Sequence, residues 1–368
     1  MRVVLTGAGG FLGWHTRLRL HALTDHDIVP ITRQTWGDLR AALRSVDAVI
    51  HVAGVNRGTD SEVEQANLLL AEDVAAGVAD CGRPVRIVYA NSIQDGNATA
   101  YGHGKGAARE VLAAAAESVG GHLVDVRLPN LFGEHGRPRY NSFVATFVEA
   151  VRDGETPQIA DRPVGLLHVQ AAAQALIDGL TTGAERIDPE VTTVGVQEVH
   201  DLLVEFKRSY DTGEFPDLSS PFRIDLFNTY RAALFPAHYP IRLTPHSDPR
   251  GTFVETVRCR GGEGQTSFST TVAGVTRGEH YHLTKIERFA VISGRARMSL
   301  RKMFTDEVID FEVSGDEPAA VDMPVGWVHN ITNTGESTLL TQFWSHELFR
   351  PDAPDTFAEK VRPVAEES

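Results

Sequence analysis

The sequence predicts an α/β domain with a doubly wound parallel sheet, followed by an all-β barrel. Residues 2–127 alternate short β-branched runs with segments of helical length, which is typical of parallel βαβ units. Beyond about residue 240, short strand-like runs broken by glycine, proline and asparagine indicate a sandwich or barrel. We therefore expect domains at residues 1–240 and 241–368. A chain of 368 residues suits two domains, which commonly hold about 100–200 residues each.

Composition narrows the class of protein. The formal net charge of −14 argues against nucleic acid as a partner, because phosphate binding needs a basic surface. No apolar run approaches the roughly 20 residues that span a bilayer, so membrane insertion is not expected. The two cysteines, Cys81 and Cys259, fall in different predicted domains, which disfavours a disulfide framework and favours a reducing cytoplasm.

A glycine-rich turn follows the first predicted strand. The segment Thr6-Gly-Ala-Gly-Gly-Phe-Leu-Gly13 lies between that strand and a helix expected from Phe11 to about Leu23. Glycines at such a turn let the backbone approach a pyrophosphate, and the helix N-terminus supplies oriented amide groups. The segment predicts a dinucleotide site; the competing interpretation is a structural turn.

The end of the second predicted strand, Ile31-Thr32-Arg33, indicates which dinucleotide binds. An acidic residue there would accept hydrogen bonds from a ribose 2′-hydroxyl and favour NAD, whereas Arg33 can pair with a 2′-phosphate. NADPH is therefore the expected cofactor, and the alternative is that Arg33 is a solvated loop cation.

Three residues indicate reductase chemistry in the first domain. Tyr101 and Lys105 are four residues apart, which places both on one face of a helix. We expect the ammonium to lower the phenol pKa, so that Tyr101 can donate a proton to a developing alkoxide. Ser92, just past the fourth strand, can hydrogen-bond the same oxygen. A chance Tyr–Lys pair is the alternative.

The second domain contains a set of metal-ligand residue types. His280 and His282 alternate on a predicted strand and so point the same way. Glu287 and His329 can complete a shell for one divalent metal. Zinc is the first expectation, although iron, manganese and nickel also suit this ligand set. The alternatives are structural or solvated histidines and a metal with a purely structural role.

These motifs resemble a known family. Residues 1 to about 235 are similar to the extended short-chain dehydrogenase/reductases of the nucleotide-sugar type, with a Rossmann-like fold. The resemblance implies Ser92, Tyr101 and Lys105 as the catalytic trio, with Asn67 supporting the lysine. Ile93-Gln94 stand where sugar dehydratases carry an acid pair, and Val169-Gln170-Ala171 stand where relatives often have acidic residues. The implied cofactor contacts are Thr6, Gly7, Gly10, Phe11, Leu12, Gly13, Arg33, Asp38, Leu39, Ala53, Tyr101, Lys105 and Pro129.

The second domain resembles the cupins, which are jelly-roll barrels, and the fusion resembles bifunctional capsular-polysaccharide enzymes of the CapF type. The segments that carry this resemblance are His51-Val-Ala-Gly-Val-Asn-Arg57, Arg127-Leu-Pro-Asn-Leu-Phe-Gly133, Arg137-Pro-Arg-Tyr-Asn-Ser-Phe-Val-Ala-Thr-Phe147, Gly278-Glu-His-Tyr-His-Leu-Thr-Lys285 and Pro324-Val-Gly-Trp-Val-His-Asn330. The implied substrate is a UDP-linked 4-keto-6-deoxy-N-acetylhexosamine, bound by Asn130, Arg137, Arg139 and Asn141. The implied reactions are C3 epimerisation by the cupin and C4 reduction with NADPH, giving a UDP-N-acetyl-L-talosamine-type sugar.

Several points stay open at this stage. The chain is either bifunctional or a reductase whose cupin is structural or dimerising, and a non-enzymatic NADP(H)-sensing or sugar-binding protein is a third reading. The metal, the precise sugar and the base of epimerisation are undecided, with Tyr281, His282 and Lys285 as candidates for the base. We expect a homodimer in the cytoplasm.

Overall fold

The computed structural model describes residues 1–363, which form two compact units. The first unit comprises Met1–Phe143 and Asp161–Gly195, and the second comprises Val144–Ala160 and the chain from Val196 onward. The residues between 196 and 240 therefore share their contacts with the β-rich unit, although they precede the predicted boundary in the sequence. The predicted domain boundary at residue 240 differs from this division by contacts, and it stays a prediction.

Helices alternate with strands through the first half of the chain. The helices are α1 Phe11–Leu23, α2 Leu39–Ala42, α3 Asp60–Ala79, α4 Ala100–Ser118, α5 Phe143–Asp153, α6 Val169–Asp178, α7 Val196–Tyr210 and α8 Pro221–Ala232. Their ends follow ordinary capping rules: Thr59 and Glu62 form a capping box at the start of α3, and Ser220 caps α8 ahead of Pro221. Among the described residues, no helix is both long and apolar enough to cross a membrane.

A six-stranded parallel sheet forms the centre of the first unit. Its strand order is β2-β1-β3-β4-β5-β8, and a smaller sheet holds β6-β7-β9. The strands are β1 Arg2–Thr6, β2 Asp27–Ile31, β3 Ala48–His51, β4 Arg86–Ser92, β5 His122–Leu128, β6 Asn130–Phe132, β7 Pro163–His168, β8 Arg186–Ile187 and β9 Thr192–Gly195. All pairings in this sheet are parallel, and the strand order runs outward from β1 to β2 on one side and to β3, β4 and β5 on the other, which is the doubly wound pattern that the sequence predicts.

The large sheet is covered on both faces. Successive side chains of β1 point to opposite sides, so Val3 and Leu5 pack in one hydrophobic cluster while Val4 packs in another. The first cluster includes residues of α1 and α6, and the second includes residues of α2, α3 and α4. Strands buried on both faces explain the nearly continuous apolar runs in this part of the sequence.

The second unit is built on two antiparallel five-stranded sheets. Their orders are β11-β20-β17-β22-β15 and β19-β18-β21-β16-β23, and β10 pairs with β14 beside them. The strands are β10 Phe215–Asp217, β11 Ile241–Arg242, β12 Pro245–Asp248, β13 Gly251–Val254, β14 Cys259–Gly261, β15 Gln265–Thr271, β16 Thr276–Tyr281, β17 Glu287–Ser293, β18 Arg295–Lys302, β19 Val308–Ser314, β20 Ala319–Met323, β21 Trp327–Asn333, β22 Leu339–Ser345 and β23 Phe357–Ala358. The predicted fold class, a parallel α/β sheet followed by an all-β cupin barrel, is confirmed.

A buried ion pair joins the β-sheet of this unit to its helices. Arg288 on β17 and Asp322 on β20 are cross-strand partners with two hydrogen bonds, 2.6 Å from Nε to Oδ1 and 2.9 Å from Nη2 to Oδ2. Tyr210, the last residue of α7, donates a hydrogen bond to the same carboxylate and lies 2.6 Å from the hydroxyl of Tyr239. Arg288 also donates to the carbonyl of Gly213 at 2.8 Å. Helix α7 is thus fastened to the barrel through one carboxylate.

We expect Asp322→Asn to lower the free energy of unfolding of the second unit by about 3–5 kcal/mol, because it leaves the Arg288 charge buried without its counter-ion. Urea denaturation followed by tryptophan fluorescence measures this loss. Arg242→Ala is the matched control: its pair with Glu317 is largely exposed, so it should change stability little. A loss below about 1 kcal/mol for Asp322→Asn would contradict the assignment.

Candidate functional site

The glycine-rich turn has the close backbone packing that a dinucleotide site requires. Gly7 adopts φ +68°, and a Cβ at this position would lie 2.8 Å from the backbone nitrogen of Ala53. A Cβ on Gly13 would lie 2.0 Å from the carbonyl oxygen of Gly7. Helix α1 then begins at Phe11, and its cap residue Gly10 has no side chain to occupy the first amide groups. The turn fits a pyrophosphate group at the helix N-terminus.

Thr6 joins the ends of β1 and β3 beside this turn. Its hydroxyl lies 2.8 Å from Nδ1 of His51 and accepts hydrogen bonds from the amides of Val52 and Ala53 at 3.2 and 3.3 Å. Burial, with the charge of Lys105 as a smaller cause, lowers the pKa of His51 to about 3, so the imidazole is neutral. The predicted cofactor positions Thr6, Gly7 and Ala53 therefore lie together.

The residues predicted to bind the adenosine half lie after β2. Arg33 is exposed just beyond the strand, and Asp38 is exposed in the 3₁₀ turn Trp36–Asp38. The side chain of Leu39 is instead buried in the hydrophobic core, at 3% exposure. Arg33 and Asp38 are open to solvent and able to meet a ligand, whereas the Leu39 side chain serves packing.

The catalytic trio predicted from sequence comes together between β4 and α4. Thr99 caps α4 by accepting a hydrogen bond from the amide of Gly102 at 3.1 Å, which places Tyr101 in the first turn. Lys105 follows one turn later, with Nζ 6.0 Å from the centroid of the Tyr101 ring. Ser92, the last residue of β4, lies close enough to Tyr101 for its hydroxyl to lower the pKa of the phenol. The three polar groups thus meet at the carboxyl end of β4.

The pKa shifts in this group differ from the sequence expectation. Burial raises the pKa of Tyr101, opposed by the Ser92 hydroxyl, whereas we expected Lys105 to lower it. Burial also lowers the pKa of Lys105 to about 8, although Asp125 and Asp95 oppose this. Loss of hydration is the larger effect for both side chains, so the phenol holds its proton firmly.

Lys105 is held by a backbone carbonyl. Its Nζ donates to the oxygen of Ala90 at 2.7 Å and lies 4.6 Å from the centroid of the Tyr89 ring. Asn67, expected to support the lysine, hydrogen-bonds to the backbone of Val55 and to the carbonyl of Val63. Asn67 thereby fixes the segment after β3, while β4 itself fixes Lys105.

The predicted substrate residues lie in and after β6. Pro129, predicted as a cofactor contact, is half-buried just before β6, and Asn130 donates to the carbonyl of Gly165 at 3.3 Å. Arg137, Arg139 and Asn141 are exposed. Sequence analysis assigned no role to Arg57, yet its guanidinium lies 5.3 Å from the Tyr140 ring centroid, and that of Arg137 lies 5.1 Å from the same centroid. The guanidinium groups of Arg57 and Arg137 on one ring form a basic patch. In the sequence, Arg57 was visible only as the last residue of the segment 51–57.

A buried carboxylate was also missed. Glu134 is fully buried, and its Oε2 lies 3.3 Å from Nε2 of His168. Burial alone would raise the pKa of Glu134, but the positive charge of His168 holds it at about 2. His15 lies 2.8 Å from the Glu134 carbonyl, and Gln170 lies 3.0 Å from the other nitrogen of that imidazole. Gln170 thus belongs to a buried polar network.

The four predicted metal ligands converge in the second unit. His280 is on β16, Glu287 begins β17 and His329 is on β21, while His282 follows β16 directly. Their ligand atoms all lie within 4.8 Å of one another. Oε2 of Glu287 lies 3.1 Å from His282 Nε2, 3.4 Å from His329 Nε2 and 4.0 Å from His280 Nε2. Three strands and one loop thus bring three imidazoles around one carboxylate.

The chemistry of this cluster fits a divalent cation. Nε2 of His329 is fully buried and lacks a well-aligned hydrogen-bond partner, while Nδ1 lies 3.1 Å from the Trp327 carbonyl. Burial lowers the pKa of His329 to about 4, which favours the neutral imidazole that metals require. Burial would raise the pKa of Glu287, but the three neighbouring imidazoles, His282 most of all, hold it well below its usual value.

Gly7→Ala should weaken dinucleotide binding at the predicted turn about tenfold or more, because a side chain at positive φ costs about 1–3 kcal/mol before the contact with Ala53 is counted. Fluorescence titration of NADPH measures this. Gly9→Ala is the control, since its Cβ would meet Thr32 Cγ2 at an ordinary 3.6 Å. Equal affinities for the two variants would contradict the predicted turn.

We expect kcat/KM for proton transfer by the predicted Tyr101–Lys105 pair to fall as pH rises through about 8, because Lys105 loses its proton there instead of near 10.5. The free energy of unfolding should instead rise with pH between 8 and 10.5. In that range the unfolded chain still binds the Lys105 proton that the folded chain has released. NADPH oxidation and thermal melting across pH 6.5–10 test both slopes. A flat kcat/KM up to pH 10 would exclude this role of Lys105.

Two family profiles match the chain. "NAD dependent epimerase/dehydratase family" matches residues 3–186, half of the sequence, and "Polysaccharide biosynthesis C-terminal domain" matches residues 246–357. The Pseudomonas aeruginosa protein named "UDP-2-acetamido-2,6-beta-L-arabino-hexul-4-ose reductase" is 34% identical over 98% of this chain and 99% of its own length. A Bacillus subtilis protein, "Spore coat polysaccharide biosynthesis protein SpsL", is 29% identical over 31% of this chain and 82% of its own length.

Solved structures resemble the chain as well. The "capsular polysaccharide assembling protein CapF" of Staphylococcus aureus matches with a TM-score of 0.60 and 32% identity, over 98% of this chain and 100% of its own. A UDP-N-acetylglucosamine 4-epimerase from Methanobrevibacter ruminantium M1 covers 57% of this chain and 83% of its own, with a TM-score of 0.50 and 18% identity, and shares the fold alone. The resemblance predicted from the sequence is confirmed. The chain belongs to the NAD dependent epimerase/dehydratase family and, over its whole length, to the CapF-type capsular polysaccharide biosynthesis proteins.

Proposed function

We propose that this chain is a bifunctional nucleotide-sugar enzyme. Residues 241–368 epimerise C3 of a UDP-linked 4-keto-6-deoxy-N-acetylhexosamine, and residues 1–240 reduce its C4 ketone, giving a UDP-N-acetyl-L-talosamine-type sugar for surface polysaccharide. The observation that carries the proposal is the meeting of Ser92, Tyr101 and Lys105 beside the glycine turn. The P. aeruginosa relative supports the substrate class, since its name specifies a UDP-linked acetamido sugar with a ketone at C4.

The chain's residues suit the reduction step by step. NADPH, when bound at the glycine turn, supplies the hydride. Tyr101 donates its proton to the C4 oxygen as negative charge develops there, and Ser92 hydrogen-bonds the same oxygen. The raised pKa of Tyr101 keeps the phenol protonated until that charge forms. Lys105, while protonated, then stabilises the phenolate. Arg33 is our reason for preferring NADPH to NADH.

The cluster of three histidines and Glu287 suits the epimerisation. A metal held there, with zinc as our first choice, supplies Lewis-acid polarisation of the C4 ketone, which makes the neighbouring C3 proton more acidic. The four side chains would hold this metal, and His282 and His329 are buried. Removal of the C3 proton by a base and return of a proton to the opposite face of the same carbon would invert C3.

The base of epimerisation is not assigned to the three sequence candidates. Lys285 donates its Nζ protons to the carbonyl of Pro354 at 2.6 Å and to the hydroxyl of Thr356 at 3.2 Å. Tyr281 is buried, and burial raises its pKa. His282 is one of the predicted ligands. Each candidate thus has another structural role.

Substrate recognition and assembly complete the proposal. Arg137 and Arg139, joined by Arg57, supply positive charge for the UDP diphosphate, and Asn130 and Asn141 contact the sugar. A homodimer in the cytoplasm remains our expectation. The rival readings are a reductase with a structural cupin and a non-enzymatic NADP(H)-sensing or sugar-binding protein.

We expect the protein to exchange C3 hydrogen of a UDP-4-keto-6-deoxy-N-acetylhexosamine for deuterium in D₂O without NADPH, and to form the C4 alcohol only when NADPH is added. NMR of the sugar reads both events. Tyr101→Phe should slow reduction by about 10²–10⁴-fold and leave C3 exchange intact, because it removes only the proton donor.

His329→Ala is the reciprocal variant. It should abolish C3 exchange through loss of a metal ligand while NADPH affinity stays unchanged. If the C4 alcohol forms without any deuterium at C3, the protein is a reductase and its cupin is structural. Binding of NADPH and sugar without turnover of either would leave the sensing interpretation instead.

A further inference from the structure

The short loop between His282 and Glu287 is held by one carboxylate from the C-terminal part of the chain. Asp355 accepts hydrogen bonds from the amides of Leu283, Thr284 and Lys285 at 2.9, 2.9 and 2.7 Å. The Thr284 hydroxyl donates to the same carboxylate at 2.9 Å. Four donors on one ionised group make a strong, charge-assisted set. The loop that separates two predicted metal ligands therefore has its successive amides fixed from one point.

The carbonyl side of the loop is fixed from α8. Asn228 donates to the carbonyl of Thr284 at 2.8 Å, and Arg231 donates to that of Lys285 at 3.4 Å. The amide of Ile286 donates to Nδ1 of His346 at 3.0 Å. Amides and carbonyls of the loop are therefore both paired with groups outside it, so a shift of its backbone would break several hydrogen bonds at once.

Asp355 also orients His282. The Asp355 carbonyl oxygen lies 2.5 Å from Nδ1 of this imidazole, and Nε2 on the other side of the ring faces Glu287 at 3.1 Å. A carbonyl acceptor at Nδ1 keeps the proton there and leaves the Nε2 lone pair for a metal. The side chain of Asp355 thus holds the loop backbone in place, and the backbone carbonyl of Asp355 orients the imidazole of His282.

Other residues of the C-terminal strap, defined as residues 354–361, contact the strand that carries His280 and the neighbouring β18. β23 pairs with β16, where Ala358 stands opposite His280. The amide of Val361 donates to the carboxylate of Glu279 at 2.7 Å, and Arg301 donates to the Val361 carbonyl at 2.8 Å. Arg301 lies on β18, next to the strand that carries His329. The strap therefore contacts the strand that carries His280 and the strand next to that of His329.

We propose that Asp355 is the positioning residue of the metal site: it fixes the separation of His282 and Glu287 and the ring orientation of His282. This inference rests on the proposed metal centre. Asp355 adopts φ +41°, a conformation that aspartate and asparagine tolerate better than most residues. Asp355→Asn can therefore keep the same backbone conformation. Its amide group replaces one acceptor oxygen by an NH₂ group, which cannot accept hydrogen bonds from the loop amides.

Full-length Asp355→Asn should bind zinc about 10–100-fold more weakly than the wild type, measured by competition with a chromogenic chelator. Asp352→Asn, which removes an exposed acid three residues earlier in the same segment, is the matched control and should leave zinc affinity unchanged. Circular dichroism of both variants reports whether the fold is retained.

A second measurement needs no variant. In metal-free wild-type protein, the amides of Leu283, Thr284 and Lys285 should exchange slowly with D₂O, because their acceptor belongs to the protein. Rapid exchange of these amides, or equal zinc affinity of Asp355→Asn and wild type, overturns the role of Asp355. Failure of the wild type to bind zinc or any other divalent cation would instead overturn the metal centre itself.

Discussion

The structure of the β-rich unit depends on the pairing of Arg288 with Asp322. Both side chains are almost completely withdrawn from water, at 1% and 0% exposure, so neither charge is tolerable without the other. The pair sits one residue from Glu287 and Met323, which face each other across β17 and β20. The same carboxylate receives Tyr210 from α7. One desolvated pair therefore fixes both a helix and the strand that begins with a predicted metal ligand.

Withdrawal from water also sets the chemistry of the individual groups. In the first unit burial raises the pKa of Tyr101 and lowers that of Lys105, and in the second it lowers the pKa of His329. In each case burial favours the uncharged form. A neutral phenol can act as a proton donor and a neutral imidazole as a metal ligand. The same physical effect thus prepares two unlike reactions.

Much of the fold and of the two candidate sites could be predicted from the sequence, because these features depend on local patterns of residues. The glycine turn between the first strand and the first helix, the spacing of Tyr101 and Lys105, and the pair His280 and His282 each follow from the geometry of neighbouring residues. Sequence could not foresee that α7 and α8 pack with the barrel, since that depends on partners far along the chain. Glu134 and Asp355 were missed for the same reason: each is an ordinary acid whose partners are set only by the fold.

The loop between His282 and Glu287 is far along the chain from the Asp355 carboxylate that holds it, and this separation affects the order in which they are translated. Asp355 pairs with Leu283 across 72 residues, and all four predicted ligands precede it in the sequence. A ribosome therefore releases the ligands before the group that arranges them, while the entropy of closing so long a loop has still to be overcome. The contact between Asp355 and Leu283 can therefore form only after all four predicted ligands have been synthesised.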